Sequence, residues 1–62
     1  MQRYRLKVLM PDGWRWIDDT GQPAVEKWRG RTWDTLREAR AACQQQLMKP
    51  EIGLAEVEIF TP

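Results

Sequence analysis

Two different periods run along this chain. Residues 3–10, RYRLKVLM, alternate, with Tyr4, Leu6, Val8 and Met10 on one side and Arg3, Arg5, Lys7 and Leu9 on the other. Residues 54–60, LAEVEIF, alternate again, turning Ala55, Val57 and Ile59 inward and Glu56, Glu58 and Phe60 outward. Period two with one apolar side is the mark of a half-buried strand. Between them, over Thr32–Leu47, Leu36, Ala39, Cys43 and Leu47 recur at spacings of three and four, which places them on one helix face flanked by Ala42 and Gln46. Thr35 followed by Glu38 fits a capping box, and Asp34 sets negative charge beside the positive helix end. Lys49 suits the other end of the dipole, and Pro50 stops the helix. The small inward residues Ala39 and Cys43 let the helix axis approach a sheet closely, so bulk must come from elsewhere.

Turn chemistry extends the pattern. Pro11-Asp12-Gly13 reads as a three-residue hairpin loop with Gly13 at positive φ. That register sets Met10 opposite Trp14, Leu9 opposite Arg15, Val8 opposite Trp16 and Lys7 opposite Ile17. It brings Trp14 and Trp16 to the Tyr4–Met10 face and Arg5 to Asp19. Asp18–Pro23 has turn composition, residues 24–29 predict a third strand, and Arg29-Gly30-Arg31 a bend before the helix. The expected architecture is α+β, one two-layer domain over residues 1–62. A small antiparallel or mixed sheet of hairpin, third strand and last strand carries one α-helix on one face. A right-handed crossover would set the last strand parallel to the first. Arg3, Arg5 and Lys7 would then lie beside Glu56 and Glu58.

Composition narrows the options. A chain of 62 residues buries only about 60% of the surface its unfolded form exposes. Each buried Trp removes roughly 150–250 Å² from water, roughly 4–6 kcal/mol before entropy is subtracted. The four tryptophans are thus expected to substitute for a larger core. The net charge is +1, unlike a domain held to nucleic acid mainly by phosphate contacts. Residues 1–33 carry seven basic against four acidic side chains, and residues 34–62 three against five. A single cysteine forbids an intrachain disulfide and fits a reducing compartment, so a cytoplasmic location is expected. The charged, alternating start resembles no leader, and no apolar run approaches the ~20 residues of a membrane span.

The chemistry is defined by what is missing. The chain contains no His, no Ser and no Asn, which removes Ser-His-Asp and Cys-His sites and Cys/His zinc sites. Gly13, Gly21, Gly30 and Gly53 are too scattered for a dinucleotide or P-loop fingerprint. Asp18-Asp19 reads as a solvated turn, Glu56 and Glu58 as a charge-paired strand face, and Cys43 as a small core residue. Neither enzyme activity, nor a cofactor, nor a metal, nor a small-molecule substrate is expected.

Two binding readings remain. In the first, the chain docks through a sheet face or edge, with Leu9, Ile17 and Phe60, rimmed by Lys7 and Arg15, forming an outer-face surface for self-association or a protein partner. Small chains of this kind serve as accessory or inhibitor proteins of bacteria, plasmids and phages. In the second, Arg15, Trp28, Arg29, Arg31 and Trp33 contact nucleic acid, the indoles stacking on bases and the arginines meeting phosphates. Strands followed by T-W-D-T-L-R-E-A-R, over about residues 4–47, are similar to the arm-site DNA-binding module of phage integrases. That resemblance implies nucleic-acid contact. The chain departs from that module by the strand after the helix and by its balanced charge.

Overall fold

The computed structural model describes residues 2–61. Four strands, β1 (Arg3–Met10), β2 (Gly13–Ile17), β3 (Pro23–Ala24) and β4 (Leu54–Phe60), form one sheet in the order β3-β2-β1-β4, and every pairing is antiparallel. One helix, α1 (Leu36–Leu47), lies over β1 and β4. This is the expected two-layer α+β fold.

The helix starts where the capping box places it. The Glu38 N–H donates to the Thr35 hydroxyl oxygen at 3.2 Å, and the Thr35 hydroxyl donates to Glu38 Oε1 at 2.9 Å. The face it buries is rotated from the expected one. Ala39 and Gln46 are buried, Ala42 and Cys43 are half-buried, and Leu36 and Leu47 are exposed. Bulk comes instead from Trp33 and Ile52 on either side of the helix, which join Leu6, Val8, Ile17 and Ala39 in the core. Gln46 enters with its apolar stem, and its Oε1 accepts no hydrogen bond from the described residues.

Three further sequence expectations fail. The hairpin loop has two residues, Pro11 and Asp12, closed by the pair Met10–Gly13, so Leu9 faces Trp14 and Lys7 faces Trp16. A one-residue slip sends every β2 side chain to the other face. Gly13, at φ +126°, absorbs the turn's mismatch with strand twist. The third strand is only Pro23–Ala24. Residues 27–29 form a 3-10 turn, in which the Gly30 N–H donates to the Lys27 carbonyl at 3.0 Å. Lastly, β4 runs antiparallel to β1, because the helix ascends alongside β1 and a short turn brings the chain straight back down. The expected charge pairing survives this change, with Arg5 opposite Glu58 and Lys7 opposite Glu56.

The 3-10 turn and the residues after it lie across the sheet face opposite the helix. Lys27 Nζ sits 5.2 Å from the Trp16 ring centre and 3.3 Å from Glu58 Oε1 on the far strand. Gly30 bridges to Asp18, and a Cβ on it would stand 3.1 Å from the Lys27 carbonyl and 3.5 Å from Trp16 Cβ. Trp16 is thereby half-buried on a face the sequence pattern leaves bare.

Candidate protein-docking surface

The slip in β2 redraws the outer face. Leu9 faces Trp14 on one side and Leu54 on the other, so three apolar side chains stand in one row across β2, β1 and β4. They are 36%, 40% and 48% exposed for Leu9, Trp14 and Leu54 respectively. The next row carries Trp16, Lys7 and Glu56, with the Lys7 amine 5.0 Å from the centre of the Trp14 ring. An apolar strip with a charged border is the anatomy of a contact site. Among the described residues no covering segment reaches it, since the Lys27–Gly30 crossing lies over Trp16 and Arg5, toward the other end of the sheet.

The expected surface of Leu9, Ile17 and Phe60 is not assembled. Ile17 is 2% exposed and belongs to the helix-side core, because the two-residue loop turns it inward. Phe60 does face outward, but it pairs with Arg3 at the end of β1 remote from Leu9, and the Arg5 guanidinium stacks on its ring at 3.8 Å. Arg15 rims neither residue. Its guanidinium clamps the hairpin turn, at 3.0 Å from the Asp12 carboxylate and 2.8 Å from the Trp14 carbonyl. The expected Arg5–Asp19 pair is likewise replaced by the Arg5–Phe60 stack. Leu9 and Lys7 hold their expected places. Trp14 and Leu54 are new members. Reading Pro11-Asp12 as a two-residue loop brings Trp14 to Leu9; Leu54 arrives only once β4 is antiparallel.

The Arg/Trp-rich segment is also divided. Trp33 is buried and bonds to Tyr4 through both backbone groups, at 3.0 and 2.8 Å. Arg31 lies over the Trp33 ring at 5.0 Å. Trp28 is 74% exposed, with the Arg29 guanidinium 5.1 Å from its ring centre and also 3.7 Å from Glu26. Beside it lies an open cleft of about 340 Å³ lined by Asp18, Asp19, Thr20, Trp28, Arg29 and Gly30. Asp18 is engaged within the loop: it accepts from the Thr20 hydroxyl at 2.6 Å and from the Thr20 and Gln22 N–H groups at 2.9 and 3.0 Å. These bonds, the Thr20 hydroxyl first, hold its pKa below the ordinary 3.8.

Cys43 rests half-buried against the core, and burial pushes its thiol up, away from the reactive thiolate. Among the described residues no cluster of three His, Cys, Asp or Glu side chains is placed to hold a metal, and no helix is long and apolar enough to cross a membrane. Comparison with known proteins found no match for this chain among protein-family models, curated proteins or solved structures.

Proposed function

We propose that this chain is a small non-enzymatic binding protein that docks on another protein through the outer face of its sheet. The observation that carries this reading is the Trp14–Leu9–Leu54 row. Its three half-exposed side chains are contiguous on neighbouring strands, whereas scattered single apolar residues would mean nothing. The partner offers a small apolar strip flanked by one acidic and one basic group, to meet Lys7 and Glu56. The lone, half-buried cysteine favours a cytoplasmic setting.

The test is a photo-cross-linker placed at Trp14, with a second placed at exposed Gln44 on the far side of the helix. The expected result in cells of the source is one discrete protein adduct from position 14. It should resist nuclease, be absent from position 44, and disappear when Leu9→Lys and Leu54→Lys are added. Adducts of equal pattern at both positions would defeat the proposal.

A second reading keeps one specific observation, the exposed Trp28 with Arg29 stacked on it. In that reading single-stranded nucleic acid stacks on Trp28. It requires a nuclease-sensitive adduct from position 28 and binding that weakens steeply as salt rises.

A further inference from the structure

The two edges of the sheet are finished differently. One is β3, two residues long and opening on Pro23, and the 3-10 turn follows it. Brevity and proline are common ways of closing a sheet edge. The other edge is β4, seven residues with no Pro and no Lys, in unbroken register with β1 from Arg3–Phe60 to Leu9–Leu54. Tyr4 uses its N–H and C=O on Trp33, so Arg3, Arg5, Lys7 and Leu9 are the β1 residues that bond toward β4. Their partners are Phe60, Glu58, Glu56 and Leu54. Antiparallel alternation then turns the N–H and C=O groups of Ala55, Val57 and Ile59 outward. Among the described residues no strand pairs with that edge.

The side chains along the edge are sorted by face. Seen from the helix with β1 ascending, an L-residue pointing at the viewer carries its N–H and C=O on the right, where Tyr4 meets Trp33. Hence β4 lies on the left. The helix ascends too, since it starts just after Trp33 and the chain returns at Gly53, whose N–H donates to the Leu9 carbonyl at 2.9 Å. A right-handed helix ascending over the sheet turns Leu36 and Leu47, roughly 60–80° around from Ala39, to the left. Both are exposed, and so is Ile59 on the helix side of β4. They make an apolar shelf above the open edge. On the outer side the edge shows Glu56 and Glu58. Glu58 is held by Lys27 at 3.3 Å. Glu56 has no ion pair among the described residues, and its neighbour Lys7 is turned over Trp14 instead.

We propose that the open edge of β4 takes up one further strand from a partner protein, an extended segment in which basic and apolar residues alternate. Its backbone bonds to Ala55, Val57 and Ile59. Its apolar side chains slide under Leu36 and Leu47, and its Lys or Arg side chains meet Glu56 and Glu58. A second copy of this chain is the wrong occupant. Pairing β4 antiparallel with itself about Val57 sets Glu56 against Glu58 twice, and like charges directly opposite are destabilising. The surface is distinct from the Trp14–Leu9–Leu54 row, and the two stand or fall separately.

The chain already shows what this strand accepts, because β1 is basic and apolar in alternation and pairs with its other edge. The probe is therefore a blocked peptide of sequence RYRLKVLM, with a control peptide whose three basic residues are glutamate. Fluorescence anisotropy should show the basic peptide binding the intact chain at least about tenfold more tightly than the control, a difference of about 1.4 kcal/mol. On binding, hydrogen exchange at Ala55, Val57 and Ile59 should slow while the amides of β1 stay protected. Val57→Pro removes an outward N–H together with a half-buried side chain that packs against the core; the folded variant should no longer bind. If that variant unfolds, Glu56→Lys decides, and should reverse the preference between the two peptides. The proposal is overturned if neither peptide binds at about 1 mM or if both bind equally. It is also overturned if protection is lost in β1, which would mean strand exchange, or if the folded variant binds like the parent.

Discussion

Gly13 and Asp18 hold the two ends of β2, and each does so through one property of its own. Gly13 sits at φ +126°, where a Cβ would also approach Arg15 Nη1 to 3.2 Å. Gly13→Val should lower stability by about 1–3 kcal/mol, read as a fall in the melting midpoint; no shift would mean the turn is not strained in this way. Asp18 works through its ionised carboxylate. Its bonds from Thr20 and Gln22 favour the charged form and depress its pKa below 3.8. The unfolded chain therefore takes up this proton first as pH falls. The stabilisation is full above about pH 5 and is lost as pH drops through the depressed value. Melting of the parent and of Asp18→Asn should differ by a constant amount near neutrality and converge in acid. A gap that persists in acid would show that charge is not the cause.

At the scale of elements, the capping box is the device that starts α1, and its two bonds were legible in the spacing of Thr35 and Glu38. Thr35→Ala should cost about 1 kcal/mol, while Thr35→Asp, which still accepts from the first turn, should cost little. Equal losses in chemical denaturation would place the helix start elsewhere. The hairpin was legible as an element but not in its register. Pro-Asp-Gly serves a two-residue and a three-residue loop alike, and the alternation of Trp14 and Trp16 with Arg15 accepts either face. Ile17, last in β2, breaks the tie, because the shorter loop brings it into the core.

Across the whole molecule the tryptophans separate into structural and exposed ones. Trp33 closes the core beside the helix, whereas Trp28 stands in solvent. Trp33→Ala should cost about 3–5 kcal/mol, and Trp28→Ala should stay within about 0.5 kcal/mol. Urea titrations of the two variants check this; similar losses would mean the Lys27–Arg29 turn depends on Trp28. Trp16 belongs to a third class, half-buried on the outer face because Lys27–Gly30 cross it.

By itself the sequence determined whatever depends on neighbours in the chain. The half-buried strands at residues 3–10 and 54–60, the capped helix and the turn at Gly13 all follow from local periodicity, capping and turn chemistry. The tertiary structure decided which face each tryptophan occupies, the direction of β4, the burial of Gln46 in place of Leu47, and the crossing of the outer face by Lys27–Gly30. These outcomes turn on competition for the same space by groups far apart in the chain. Ile17 and Trp33 fill one side of the helix, and so the row of Trp14, Leu9 and Leu54 is left outside. Local patterns cannot rank such alternatives, because a one-residue slip preserves every local preference while exchanging the two faces of a strand.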